Sequence, residues 1–537
     1  MSDTNQGSDG VVLAHYRTRG GITVHRSAES RPYPGAVEPL VDALDGQRGV
    51  LLTSSFEYPG RYTRWDIGFI NPLLELTATG RGFAVNALND RGFQLLDVIG
   101  RALGREPAVE CLERRANGYQ GQIVDPPADF PEELRSKQPT VFSMLRALIE
   151  LFGSHEDPYL GFYGAFGYEL AFQFEPVRQR LQRDTSQRDL VLYLADEILV
   201  VDHRREDATV HVYDFEIDGR HTRARPRGGA WEPYCGARQP ERACDHEPGE
   251  YAATVEKAIE AFRLGRLFEV VPGQMFFEPG NAPPSELFRR LRKRNPAPYG
   301  ALMNLGQQEY LVAASPEMFV RVEGRRIETC PISGTIARGK NAIADAAQIR
   351  KLMESVKEES ELTMCTDVDR NDKSRVCEAG SVRVIGRRQI EMYSRLIHTV
   401  DHVEGRLREG YDGLDGFLAH AWAVTVTGAP KQHAIQFIED HERSPRRWYG
   451  GAIGCLGFDG SLNTGLTLRT VRVSNGIAEV RAGATLLFES DPQAEEAETR
   501  LKASALLDAI MRADTEACPQ TAQISSRAGA GRKVLMV

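Results

Sequence analysis

A chain of 537 residues, 41% of them hydrophobic, can bury a large core and build two or more structural units. Its formal net charge of -9 excludes the broad basic face of a nucleic-acid or anionic-membrane binder, while a local basic pocket for a small anion stays open. No apolar run approaches the roughly 20 residues of a bilayer span, MSDTNQGSDG lacks the character of a secretory signal, and the eight cysteines show no C-x-x-C spacing, which fits reduced thiols in the cytoplasm.

Residues 1–20 read as a disordered start. Short alternating runs at 21–24, 49–53 and 82–85, punctuated by Gly, Pro and Asn, predict antiparallel strands. Apolar residues recurring every three or four positions predict helices over 94–103 and 140–152, and strands return at 190–201 and 209–215. From about 218 to 249 the composition turns to Arg, Gly, Pro and Glu without period, which marks either a boundary or a long surface loop between interleaved sheets. It separates an expected N-terminal region, 21–245, from a C-terminal one, 246–515.

The second region reads as a helix at 251–264, a strand at 268–277 broken by Pro272-Gly273, and a helix at 285–292. A strand at 310–314, a turn at 315–317, strands to 328 and a loop through 339 follow. A helix then carries KEESEL (357–362) into a less helical Asp-rich end, DVDRND (367–372), and a last helix spans 494–511. Residues 516–537 read as a polar linker ending in the apolar run KVLMV, the look of a further domain's first strand. The sum is an α+β fold of large antiparallel sheets with flanking helices.

Glu358 and Glu361 lie three apart and share a helix face, and Glu495 and Glu498 repeat the spacing after Asp491-Pro492. One such pair is ordinarily a solvated face. Two pairs brought together would repel unless a proton or a hard cation neutralised them, and carboxylate oxygens suit Mg2+. TCPISGT (329–335) and TVTGAPK (425–431) are loops that can offer N–H groups and hydroxyls to an anion. Arg469, in the strand-like run 466–471, can grip a carboxylate, and His398 sits in the otherwise apolar LIHTV (396–400). Taken singly, these read as turns, a solvated arginine and a satisfied core histidine.

Their order and spacing change the weight. GFYGAFGYELAFQFE (161–175), NPAPYG (295–300), AASPE (313–317), ETCPISGT (328–335), KEESEL with DVDRND, TGAPK (427–431), RRWYGGAIG (446–454), LTLRT (466–470) and ESDPQAEEAETRLK (489–502) together resemble the chorismate-binding enzymes. Over about residues 20–515 the chain resembles anthranilate synthase component I, in the variant fused to its glutamine amidotransferase.

The resemblance implies that Glu361 and Glu498 ligate Mg2+, that Glu358 and Glu495 support it through water, and that the metal holds the ring carboxylate of chorismate. Arg469, Tyr449 and the backbone at Gly483 and Ala484 would hold the enolpyruvyl carboxylate, with Gly334, Thr335 and Thr425 along the ring. Glu317 would protonate the departing 4-hydroxyl, and His398 would serve pyruvate elimination, so that Glu317, His398 and Thr425 form the catalytic set. Ser54 and the segment Pro296, Ala297, Pro298, Tyr299 match a site for L-tryptophan as inhibitor, with Tyr58, Arg61 and Tyr62 near it. The 21–245 region would bind that regulator and the 246–515 region would carry the chemistry. The implied partners are chorismate and ammonia from an amidotransferase domain or subunit, with no nucleic acid or membrane; a homo-oligomer is compatible with the sequence.

Departures narrow the chemistry. Glu269 stands where isochorismate and salicylate synthases carry a water-activating Lys and most anthranilate synthases a Gln. Ser333 stands where aminodeoxychorismate synthases carry a nucleophilic Lys. Cys330 and Val424 replace a family Arg and Gly, and Thr53, Ala297 and Gly300 depart from the usual inhibitor-site residues. With both lysines missing, ammonia is expected to attack carbon 2 directly, giving anthranilate and pyruvate. The alternatives are an aminodeoxyisochorismate synthase of a phenazine-type pathway, which stops before pyruvate loss, and a non-catalytic amino-acid sensor.

Overall fold

A computed structural model describes residues 5–6, 12–127 and 130–511; the expected linker and strand at 516–537 lie outside the described residues. Two sheets, each of 13 described strands and wholly antiparallel, face one another. In the first, Thr23–Arg31 pairs Asp207–Ile217, and the order runs through Glu197–Asp202, Trp65–Ile70, Gly49–Ser54, Tyr299–Asn304, Glu309–Ser315 and Thr470–Ser474 to Ile477–Gly483 and Gly273–Pro279. The second begins with Ile332–Ala337, Leu396–Arg406, Arg326–Thr329 and Met318–Glu323, and continues through Leu462–Leu466, Ala452–Gly457 and Gly161–Phe166 to Leu190–Leu194 and Leu74–Thr79. Both sheets therefore take strands from either side of residue 245. Within the first 20 residues, Val12–Arg17 forms a strand on Thr23–Arg31; its alternation is short and flanked by polar residues, which hides it in the sequence.

The period-2 pattern of the central strands explains the layers. Val50, Leu52, Ala301, Met303, Leu311 and Ala313 point into the cluster shared with the second sheet. Their neighbours Leu51, Leu302, Val312 and Ala314 point the other way, against Leu287 and Leu291 of the helix Pro284–Arg294 and Ala503, Leu506 and Ile510 of the helix Pro492–Met511. Strands buried on both faces read as continuous apolar runs, and these do.

Two helix starts matter for function. Ser355 caps Val356–Ser374, its hydroxyl accepting from the Glu358 amide at 3.3 Å. Asp491 accepts from the Ala494 amide at 2.8 Å, with Pro492 in the first turn. Both glutamate pairs thus sit near helix N-termini, where the backbone dipole favours anions. Contrary to expectation, the Asp-rich end of the first helix stays helical to Ser374. Its acids are neutralised in place: buried Asp369 pairs with the fully buried Lys373 at 2.9 Å, and Asp372 with Lys431 at 2.7 Å.

Candidate functional site

At the junction of the two sheets lies a concave cleft. Its walls include Glu317, Gly334, Thr335, Glu358, Glu361, His398, Thr425, Tyr449, Arg469, Gly483 and Glu498, so eleven residues picked from the sequence meet in one place.

Glu317 follows the turn after the strand Glu309–Ser315 and is 3% exposed. Burial pushes its carboxyl up to about 8, only partly countered by the Thr425 hydroxyl, which donates to Oε1 at 2.8 Å. It is therefore protonated at neutral pH. His398 stands on Leu396–Arg406 opposite Thr335, beside a bulge at Gly334. Its Nδ1 lies 3.3 Å from the Gly334 carbonyl and 3.1 Å from the Thr335 hydroxyl. A carbonyl only accepts, so the tautomer that satisfies it carries the proton on Nδ1 and leaves Nε2 as a base. Burial first, then the Arg469 and Lys502 charges, push the imidazole down to about 3, so it is neutral. The bulge needs its glycine: φ is +77°, and a Cβ there would meet Thr399 Oγ1 at 2.6 Å.

Arg469 is not on a strand. Residues 467–469 carry the chain from Leu462–Leu466 in the second sheet to Thr470–Ser474 in the first, and Arg469 takes φ +47° there. Such a backbone costs about 1–3 kcal/mol in general and clusters at working sites. The guanidinium makes no side-chain hydrogen bond within the described residues and lines the cleft beside Tyr449. Gly483 also lines it, whereas Ala484 is fully buried and gives its amide to the Tyr251 hydroxyl at 3.2 Å.

The four glutamates gather around two lysines that sequence reasoning left without a role. Lys357 reaches Glu495 at 3.1 Å and Glu361 at 3.6 Å, and Lys502 reaches Glu498 at 2.7 Å. Glu361 also accepts from the Ser333 hydroxyl at 3.1 Å, and Glu358 from the Thr335 amide at 2.8 Å. Burial and then the Glu358 charge raise Glu361 to about 7; Glu358 is raised by burial, while Lys502 holds Glu498 low. Glu495 is buried, and its Oε2 has no hydrogen-bond partner. Glu269 is buried beside Glu361, and burial drives its carboxyl well above the usual range.

The tryptophan-site candidates also come together. Thr53 lies opposite Gly300, and Ser55 rather than Ser54 docks on Ala297, its amide donating to the Ala297 carbonyl at 3.0 Å. Ser54 turns its hydroxyl to the Phe56 carbonyl at 3.3 Å, and Tyr299 packs edge-on against Tyr62. Pro296 and Pro298 flank Ala297 in the same turn. Phe56, Glu391 and Tyr393, which carry no motif, complete this wall: Arg61 pairs with Glu391 at 2.9 Å, both buried.

The family described as chorismate binding enzyme matches residues 110–508. An anthranilate synthase of Azospirillum brasilense is 57% identical over 522 residues, 97% of this chain and 71% of that protein. Component 1 of the Haemophilus influenzae anthranilate synthase is 30% identical over 91% of this chain and 98% of its own length. The crystal structure of anthranilate synthase component I from Streptococcus pneumoniae superposes with a TM-score of 0.62 at 25% identity, covering 84% of this chain and 93% of that one. The chain belongs to the chorismate-binding enzyme family, among the anthranilate synthase component I proteins.

Proposed function

We propose that this chain converts chorismate and ammonia into anthranilate, pyruvate and water, as the aminating component of an anthranilate synthase in tryptophan biosynthesis. One observation carries the reading: a neutral buried acid, Glu317, and a neutral buried base, His398, face a single cleft that also holds Arg469 and the glutamate groups.

The glutamates fit a hard divalent cation. All four offer carboxylate oxygens, Glu495 Oε2 is buried without a partner, and Lys357 and Lys502 already supply the positive charge that such a group demands. Glu361 and Glu498 would hold Mg2+, with Glu358 and Glu495 behind them. When bound, Mg2+ supplies charge against the ring carboxylate of chorismate.

The protein's own residues account for the remaining steps. Arg469 and Tyr449 orient the enolpyruvyl carboxylate, and Gly334, Thr335 and Thr425 bound the ring. Ammonia adds to carbon 2 while Glu317 gives its proton to the departing 4-hydroxyl, which leaves as water. Nε2 of His398 then takes the proton from carbon 2, the ring becomes aromatic, and the enolpyruvyl group leaves as pyruvate after protonation. Ser333 has no amine to form a covalent intermediate, and Glu269 offers no lysine to activate water.

Component I character implies a glutamine amidotransferase as the ammonia source, in a separate subunit or a fused domain, and the cytoplasm is the proposed place of action. No helix among the described residues is long and apolar enough to cross a membrane. The wall formed by residues 53–62 and 296–299 is the proposed seat of L-tryptophan as inhibitor.

The test supplies chorismate, Mg2+ and an ammonium salt at alkaline pH and follows anthranilate fluorescence and pyruvate together. Equal yields of both support the reading. Chorismate loss with the enolpyruvyl group retained would mark an aminodeoxyisochorismate synthase, and no chorismate loss would mark a sensor.

A further inference from the structure

At the opposite end of the first sheet from the cleft, His25, Glu216 and His221 stand together on three adjacent strands. Glu216 is paired directly with His221 and with Thr23, and His25 lies two residues beyond Thr23, hence on the same face. The register of His221 is pinned by a two-residue hairpin loop, Asp218-Gly219, whose φ values of +50° and +75° suit the tight turn that matches strand twist.

The ligand atoms of these three residues all lie within 4.8 Å of one another, the one such group of three His, Cys, Asp or Glu among the described residues. His25 Nε2 is 3.1 Å from Glu216 Oε2, and His221 Nδ1 is 3.7 Å from the same oxygen. A tetrahedral ion with bonds of about 2.0–2.1 Å sets its ligands about 3.3–3.4 Å apart, so the two separations bracket the requirement. An ion pair between His25 and Glu216 explains the shorter one. It does not explain His221, whose Nδ1 is buried, faces the same oxygen and makes no hydrogen bond.

We infer that this cluster is a binding site for Zn2+ or a similar borderline divalent ion, held by two neutral imidazoles and one carboxylate. Imidazole with carboxylate selects such ions over Mg2+, which prefers oxygen alone. Three protein ligands leave a fourth position for water. His15, directly opposite His25 with its ring 6.3 Å away, is the next imidazole in line. The site would tie the hairpin at 217–221 to the strand Thr23–Arg31, stabilising the folded chain by mass action.

The experiment uses the full chain, stripped with a chelator, dialysed against Zn2+ and counted by elemental mass spectrometry, with Tm and the visible spectrum of the Co2+ form recorded in parallel. One equivalent of Zn2+ is expected to be lost in His25→Ala/His221→Gln and kept in Glu361→Gln/Glu498→Gln, which separates it from the cleft. Affinity should fall at least about 10- to 100-fold, the loss that follows even removal of an outer partner. The Zn2+-dependent rise in Tm and the intense tetrahedral Co2+ bands should vanish with it, while anthranilate formation stays unchanged. Zn2+ uptake equal in wild type and His25→Ala/His221→Gln, or none in wild type, overturns the site. Both positions are part-exposed, and a matching circular dichroism spectrum separates ligand loss from misfolding.

Discussion

The ring of Tyr393 stacks on Phe56, with centroids 5.0 Å apart and planes 18° from parallel. The same ring stands edge-on to His398 at 5.6 Å, its hydroxyl donates to Glu391 at 2.6 Å, and the same oxygen lies 3.2 Å from the Pro316 carbonyl, next to Glu317. One aromatic side chain therefore touches the proposed inhibitor wall, His398 and the turn that carries Glu317.

That relationship predicts how tryptophan would act. A ligand that displaces Phe56 must move Tyr393 or break the stack, and a coupling of about 1–3 kcal/mol corresponds to 5- to 150-fold between sites. Phe56→Ala is expected to raise the tryptophan concentration for half-inhibition at least fivefold, with the uninhibited rate within about twofold of wild type. Inhibition curves with ammonium salt as nitrogen source check this, and superimposable curves would remove Phe56 from the route.

The acid role proposed for Glu317 has a pH signature. Its folded pKa is raised to about 8 by burial, so the proton is present below that value and lost above it. The rate per unit of free ammonia should be flat below about pH 7 and fall about tenfold per unit above 8. Glu317→Gln should lower the rate roughly 10²- to 10⁴-fold and abolish the alkaline fall. A wild-type profile that is flat through pH 9 would assign the proton to another group.

Gly334 gives a prediction about stability. Alanine at φ +77°, with its Cβ 2.6 Å from Thr399 Oγ1, should destabilise the fold by about 1–3 kcal/mol and shift the loop that orients His398. Thermal and denaturant unfolding would show the loss, together with a reduced rate. An alanine variant as stable and active as wild type would mean that the bulge relaxes freely.

Removal of metal separates the two charge-balancing systems of the glutamate groups. EDTA should stop turnover and added Mg2+ restore it, and Glu361→Gln or Glu498→Gln should remove activity with the fold retained. Lys357→Met should tighten Mg2+, because the cation now lying 3.1 Å from Glu495 would no longer compete. Magnesium titrations followed by Tm decide this, and weaker Mg2+ binding by Lys357→Met would make the lysine part of the site rather than its rival.

Much of this architecture was legible because local rules and the fold agree. Asp491-Pro492 marks the start of the second glutamate helix, and the runs at 49–53 and 310–314 are apolar enough to read as strands. What escaped was set by partners distant in sequence. The Asp-rich end of Val356–Ser374 looks unfavourable for a helix until Lys431, 59 residues further on, is seen against Asp372. Arg469 reads as strand because its neighbours are apolar, yet it is the crossing point between sheets. Ala484 gives its amide to Tyr251, 233 residues earlier in the chain. Tyr393 has no motif at all, and only its contacts reveal it.

His398 decides between the two closest readings of the reaction. In the proposed mechanism amination draws on the acid at Glu317 and on ammonia, and no step in it needs an imidazole. Aromatisation does, because a proton must leave carbon 2 as the enolpyruvyl group departs, and a positioned base is worth roughly 10²- to 10⁴-fold in such a step. The neutral ring, held at Nδ1 by the Gly334 carbonyl, presents Nε2 with its lone pair. His398→Met keeps the volume and removes the base, so it should slow the second step far more than the first. Chorismate should still be consumed while aminodeoxyisochorismate accumulates, visible by chromatography as a species that keeps the enolpyruvyl group. If the variant makes anthranilate at the normal rate, the histidine is structural. If it binds chorismate and consumes none, the imidazole acts in amination, and the division of labour between Glu317 and His398 fails.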